Sequence, residues 1–204
     1  AQLLLNRQAD DSRDRQVLQR IIREGNRIGA IVKNLLHFSQ KARGILETVS
    51  LRAIVEEPMN LMSQKFRDDD IHLDVEVSDN LPVIVGNSLQ LEQVVLNLFS
   101  NARHALNKRF PTSHVDKILR VDAHTVEKGN NRCLQLVVYD QGCGISEAHI
   151  KKIFNPFFTT KEAGVGTGLG LSVSSEILTN HNARFFIESE VDQYTKALVE
   201  FPVA

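Results

Sequence analysis

Asp140-Gln141-Gly142-Cys143-Gly144-Ile145, then Phe154-Asn155-Pro156-Phe157-Phe158-Thr159-Thr160-Lys161, then Gly164-Val165-Gly166-Thr167-Gly168-Leu169-Gly170-Leu171-Ser172: these three stretches decide how the chain is read. Six of the eleven glycines fall within them, in two clusters on either side of a Phe-rich segment. Glycine is entropically costly, so this density marks places where the main chain must approach something closely or take positive φ. The first cluster follows an apolar strand pattern, Leu134 to Tyr139, and its Asp140 is placed to accept a hydrogen bond in a pocket. The second opens an apolar helical pattern from Leu169 to Leu178. A glycine-rich turn ahead of a helix leaves unpaired amides at the positive end of the helix dipole, which suits phosphate. Each cluster alone is equally well a flexible turn. No Gly-Lys-Ser/Thr follows, so this is not a P-loop, and the acidic residue of a dinucleotide fingerprint is not evident.

Two hundred and four residues, 42% apolar and 24% charged, suit one or two globular domains with a real core. A net charge of -1 gives no reason to expect nucleic acid or an acidic membrane surface as partner. No apolar run spans a bilayer and no signal peptide is present. Cys133 and Cys143 lack metal-ligand spacing and fit reduced thiols in a cytoplasmic protein. The opening Ala-Gln-Leu-Leu-Leu reads as the end of a helix, so a fragment is expected.

Between about Arg13 and Lys41, Leu18, Ile21, Ile28, Val32 and Leu35 recur at the spacing of a bundle seam, with Gly25 at the missing position. Ile22, Ile31 and Leu36 widen the stripe, and dimerisation into a four-helix bundle would bury it. An ordinary amphipathic core helix is the alternative. Gly44 starts a second unit. Val49 to Phe66 is helical, with a kink or break at Pro58. Strands follow at 71–77 and 83–85, then a long helix capped by Ser88 and reaching about Lys108. Strands at 118–126 and 133–139 flank a hairpin at Gly129-Asn130-Asn131. A short helix from Ser146 to Ile153, a helix over 171–179, and strands at 183–189 and 195–203 complete an α+β fold. It is a two-layer sandwich of a mixed five-stranded sheet and about three helices.

On the long helix Asn97 and Asn101 sit four apart and share a face with His104. Amides in a helix that otherwise packs need partners, and helix or sheet bonding would supply them. A carboxamide oxygen is also a hard neutral ligand that suits Mg²⁺. Asn97-Leu-Phe-Ser-Asn101-Ala-Arg-His104-Ala-Leu106 and the three stretches quoted above resemble, in order and spacing, the N box, first glycine box, F box and second glycine box of sensor histidine kinases. The resemblance is strong over about 45–204. Residues 12–43 look like the second helix of that family's dimerisation domain, and the Phe-rich box is similar to that of the nitrogen-regulation subclass.

The resemblance implies a histidine kinase/Hsp90-type ATPase fold over 44–204. Over 1–43 it implies the C-terminal part of a helical phosphoacceptor domain, a helical-hairpin fragment of a four-helix dimerisation bundle. ATP and Mg²⁺ are the implied cofactors. Asp140 accepts from the adenine amino group, Gly142 and Gly144 admit the base, and Ile145 lines it. Asn101 binds Mg²⁺, Asn97 supports the nucleotide, and His104 faces the γ-phosphate. Phe157 and Phe158 anchor a lid. Thr160 and Lys161 lie where that lid meets the phosphates, and Gly164, Gly166, Thr167, Gly168, Leu169 and Gly170 close over them. Thr195 lies near the base. Related ATPases of this fold carry a water-activating Glu at the position of Asn97; an amide cannot be that base, which favours transfer over hydrolysis. Partners implied are a receiver domain and a second copy through the bundle. A membrane is reached only through absent upstream segments.

The sequence also departs from the family. None of its seven histidines is followed by an acidic residue as the family's acceptor is, so the acceptor is expected upstream of Ala1. Ala105 stands where some members place an aromatic against the base. A same-fold ATPase that uses nucleotide for conformational change, and a nucleotide-binding dimeric scaffold, are the competing readings.

Overall fold

The computed structural model describes residues 17–18, 20–22, 25, 46–78, 80–128, 131–162 and 166–203. Residues 17, 18, 20–22 and 25 are helical; the rest of the expected bundle seam, from Ile28 to Leu36, lies outside the described residues. The chain divides into two compact units. One comprises Ile45–Phe154 and Gly170–Ala204; the other takes Asn155–Leu169 together with Ala1–Gly44.

The larger unit begins with β1 (Glu47–Val49), α1 (Leu51–Asp68), β2 (His72–Val77), β3 (Ile84–Gly86) and α2 (Ser88–Arg109). It continues with β4 (Ile118–Lys128), β5 (Asn131–Asp140), the single turn α3 (Glu147–Ile150), α4 (Gly170–Asn180), β6 (Arg184–Glu190) and β7 (Tyr194–Pro202). Five strands form a mixed sheet in the order β2-β4-β5-β7-β6, with β2 parallel to β4 and the other pairs antiparallel. The expected mixed five-stranded α+β sandwich is therefore the fold. β1 and β3 form a separate two-stranded ladder; the strand expected at 83–85 is β3, whereas its partner β1, three residues long, is too short to show alternation and was not expected.

Period-2 alternation sets the inner face. Leu119, Val121 and Ala123 of β4, Leu134, Leu136 and Val138 of β5, and Ala197, Val199 and Phe201 of β7 are all buried. Register aligns them in rows: Leu119 opposite Asp140, Val138 opposite Ala197, Leu136 opposite Val199. Against them pack Leu51, Ile54, Val55, Met62 and Phe66 of α1, Leu91, Val94, Val95, Leu98, Phe99, Ala102 and Leu106 of α2, and Ile177 and Leu178 of α4. Phe66 and Phe99 meet edge to face, with ring centroids 6.1 Å apart. Each such large side chain contributes roughly 2 kcal/mol of transfer free energy.

Two expectations are corrected here. Pro58 does not break the helix: α1 runs as one helix of 18 residues with Pro58 buried inside it. And Ser88 is the first residue of α2 rather than its cap. Asn87 is the cap, its side chain accepting from the Gln90 N–H at 3.0 Å. That N-terminus is fixed further by the buried His181 at the end of α4, whose Nε2 accepts from the Asn87 N–H at 3.0 Å while Nδ1 lies 2.7 Å from the Ile177 carbonyl. A backbone N–H can only donate, so the Nδ1–H tautomer satisfies both contacts.

α1 and α2 are tied at Asp69, the C-cap of α1. Arg103 Nη2 donates to Asp69 Oδ1 at 3.1 Å, and Asn107 Nδ2 to Oδ2 at 2.5 Å. Arg103 Nε also approaches Oδ2 at 2.5 Å, as an ion pair without hydrogen-bond alignment. Burial pushes the Asp69 carboxyl up, but the hydrogen bonds from Arg103 and Asn107 and the Arg103 charge prevail, leaving it below its usual 3.8. A depressed carboxyl stabilises the fold above its unfolded pKa, and that stabilisation is lost as pH falls through the folded value. Asp69→Ala is therefore expected to cost about 2 kcal/mol at pH 7, leaving two half-buried donors unpaired. Urea unfolding at pH 7 and pH 3 would show the gap from the native protein narrowing at the lower pH.

Candidate functional site

β5 ends on a residue out of keeping with its row. Leu134, Leu136 and Val138 point inward, and the next residue in phase is Asp140, a carboxylate only 5% exposed. Burial pushes its carboxyl up to about 7 from 3.8; the Gly142 N–H, which donates to Asp140 Oδ1 at 2.9 Å, pulls the other way and is outweighed. The cause is desolvation of the charged form in a largely apolar setting.

The turn beyond it is held on two sides. On one side is α2: the Cys143 N–H donates to the Ala105 carbonyl at 3.2 Å. A Cβ at Gly142 would lie 2.5 Å from both the Ala105 Cβ and Asp140 Oδ1. On the other side is the β6–β7 hairpin. The Ile145 N–H donates to Ser189 Oγ at 2.8 Å, Ser189 Oγ donates to the Tyr194 carbonyl at 2.7 Å, and the Asp192 N–H donates to the Cys143 carbonyl at 3.0 Å. Gly144 has φ +63°, and a Cβ there would fall 2.1 Å from the Glu190 carbonyl oxygen. Only glycine fits, by conformation and by space.

Ala105 therefore packs by close contact with the turn. Thr195 Oγ1 lies 3.0 Å from Ser189 Oγ, and so belongs to the same network. Asn101 and His104 are half-buried, one turn and one residue before Ala105 on α2. Asn97 donates from Nδ2 to the Gly170 carbonyl and to Ser174 Oγ, each at 3.2 Å, tying α2 to the first turn of α4. The fully buried Ser174 and the half-buried Ser189 are site residues that the sequence reading missed, since a lone serine in an apolar pattern carries no signal.

The remaining expected residues lie in the other unit. Phe157 holds φ +66° with its ring exposed, and its backbone carbonyl carbon would stand 2.4 Å from a Cβ on Gly168, which has φ +69°. The two ends of this segment thus meet main chain to main chain. The Phe158 N–H donates to the Asn155 carbonyl at 3.2 Å, the Lys161 N–H to Thr159 Oγ1 at 3.1 Å, and the Leu169 N–H to Thr167 Oγ1 at 3.4 Å. A Cβ on Gly166 would meet Thr159 Oγ1 at 2.7 Å. Thr160 is exposed, and Gly164 lies outside the described residues. Among the described residues no group of three or more His, Cys, Asp or Glu side chains is arranged to hold a metal.

A mixed sheet with helices on one face, ending in a buried carboxylate beside a glycine turn, is a two-layer α+β sandwich with its candidate site at the end of β5. The chain belongs to the histidine kinase-, DNA gyrase B- and HSP90-like ATPase family, whose pattern matches residues 86–204. Among similar proteins is the sensor histidine kinase ZraS of Salmonella typhimurium (strain LT2), 33% identical over 174 residues, or 85% of this chain and 35% of that protein. Another is the signal transduction histidine-protein kinase AtoS of Escherichia coli (strain K12), 30% identical over 186 residues, 91% of this chain and 29% of that protein. The chain thus spans about a third of the length of these relatives. Two solved structures share the fold. Full-length ShkA in complex with AMPPNP has a TM-score of 0.69 at 22% identity, covering 98% of this chain and 42% of that one. The catalytic domain of the histidine kinase ThkA has a TM-score of 0.63 at 24% identity, covering 77% and 95%.

A raised carboxyl favours folding at low pH, and that contribution is lost as pH rises through about 7. The interval from 3.8 to about 7 gives a ceiling of about 4 kcal/mol at about 1.4 kcal/mol per pH unit. Asp140→Asn keeps an acceptor for the Gly142 N–H and removes the charge. It is expected to be more stable than the native protein at pH 8 and about equal at pH 4, as read from urea midpoints.

Proposed function

We propose that this chain is the ATP-binding catalytic portion of a sensor histidine kinase, and that its substrate is MgATP. The observation that carries the reading is the buried Asp140 beside a turn where Gly142 and Gly144 leave no room for a Cβ. Its carboxylate would accept from the exocyclic amino group of adenine, and Ile145 and Thr195 would border the base. The sensor histidine kinases among the relatives support this assignment, as does the AMPPNP in the fold-matched complex.

Magnesium would be held chiefly by phosphate oxygens and water, with Asn101 as the protein ligand, consistent with the lack of a carboxylate cluster among the described residues. It would neutralise charge on the phosphates. Asn97 would brace the first turn of α4, whose N-terminus at Gly170 offers amides to phosphate. Phe158, Thr160, Lys161, Gly164, Gly166, Thr167, Gly168 and Leu169 would form the covering lid.

The reaction is in-line attack by an imidazole nitrogen on the γ-phosphorus. A P–N bond forms, the bond to the bridging oxygen breaks, and ADP leaves; His104 would offset charge on the transferred group. The acceptor histidine would lie on a helix upstream of Ala1, and the group would pass on to an aspartate of a receiver domain. Residues 1–43 would contribute to a dimerisation bundle, and 44–204 would be the catalytic domain. With an amide at position 97, water activation by a carboxylate is not available there, which disfavours simple hydrolysis.

The test supplies γ-labelled MgATP and a protein carrying the upstream helix. Alkali-stable, acid-labile label is expected, and Asn101→Ala should reduce its rate by at least a hundredfold; acid-stable label would sink the proposal. Because adenine binding needs the Asp140 carboxylate, ATP affinity should fall about tenfold per pH unit below about 7. Calorimetric titration between pH 5.5 and 8 checks this.

A further inference from the structure

Arg109, the last residue of α2, makes an unusual set of contacts. Its Nη1 donates to three main-chain carbonyls: Gln141 at 2.9 Å, Gly142 at 3.4 Å and Gln193 at 2.8 Å. The first two belong to the glycine turn after β5, the third to the β6–β7 hairpin. The guanidinium lies over the Phe110 ring, 4.9 Å from its centroid, and that ring stacks on His114 at 4.4 Å with 15° between the planes. A planar cation held on an aromatic face has its fork direction fixed.

The Gln141 carbonyl and the Gly142 N–H are two ends of one planar peptide group, pointing in opposite directions. Arg109 holds one end, and the other donates to Asp140 Oδ1 at 2.9 Å. The next peptide repeats the pattern: its carbonyl, on Gly142, faces Arg109, and its N–H, on Cys143, donates to the Ala105 carbonyl. We infer that Arg109 is a positioning residue for base recognition, locking the peptide plane whose N–H orients the Asp140 carboxylate and the next plane, which ties the turn to Ala105. It touches no substrate itself. The inference rests on the nucleotide reading of Asp140 and extends it to a residue outside the family's boxes. A cation facing the carbonyl end of a peptide also polarises its N–H, so the Gly142 bond to Asp140 is strengthened as well as aimed.

The experiment is calorimetric binding of MgATP and of MgGTP to the native protein, Arg109→Ala and Arg109→Lys. Comparing two nucleotides on one protein separates positioning from general damage, because a loss of folded protein lowers both affinities by the same factor. In the native protein, ATP should bind and be preferred. In Arg109→Ala, ATP affinity should fall about tenfold, the range for losing hydrogen bonds to a charged donor, and GTP affinity by less. The ATP-to-GTP ratio should therefore drop at least threefold. Arg109→Lys keeps the charge but not the fork, and should drop the ratio by an intermediate amount. An unchanged ratio in both variants, with ATP still preferred by the native protein, would overturn the role of Arg109 alone. No ATP binding by the native protein would overturn the nucleotide reading, and the inference with it.

Discussion

A carboxylate in a row built for apolar side chains is the constraint around which this domain is arranged. Asp140 occupies the inward position that follows Leu134, Leu136 and Val138 along β5, and lies opposite the buried Leu119. Its burial disfavours the charged form strongly enough to bring its titration near neutrality. A domain selected for stability alone would end that row on another apolar residue. The neighbouring features reduce the cost without removing the charge: Gly142 offers its N–H, and the glycine turn lets backbone come close where side chains would fill the space. Strain and desolvation gathered at one place, with good packing elsewhere, are what a binding site looks like energetically.

How much of this was legible beforehand depends on the range of the interaction. Period-2 alternation from Leu134 to Val138 identifies the inward row, and Asp140 falls in phase with it; that much is local. The glycines at 142 and 144 announce close approach, but not what approaches. Glu190, Val191 and Ala105 do so, from 46, 47 and 37 residues away in sequence, a distance at which pattern gives no register. Asn97 shows the same limit. Its helical phase with Asn101 and His104 was readable, whereas its bonds to Gly170 and Ser174 depend on how α4 docks on α2. The proline in α1 misled for a physical reason: a rule about lost hydrogen bonds and steric clash gives an energy, and the buried face of an 18-residue helix outweighs it. The cap of α2 was misplaced by one residue because Asn87 and Ser88 are both good caps, and only the side-chain geometry separates them.

The long helix α2 connects these observations. It carries Asn97, Asn101 and His104 on one side, and it is fixed along its whole length. His181 and the Asn87 cap hold its start, Asp69 grips Arg103 and Asn107, and the glycine turn packs on Ala105 near its end. Chemistry that depends on placing groups to within fractions of an ångström belongs on such an element. The segment Asn155–Leu169 is built on the opposite principle: it is rich in glycine, and holds Phe157 and Gly168 at positive φ in backbone-to-backbone contact. A bulky residue at positive φ is retained only where its surroundings dictate it, and Gly168, with no side chain to intrude, is what permits the contact. One element thus fixes position by many independent anchors, the other by a few close main-chain contacts. Substitutions that remove a single anchor from α2 should therefore be tolerated better than a side chain added at Gly144 or Gly168, where the backbone has no room to yield.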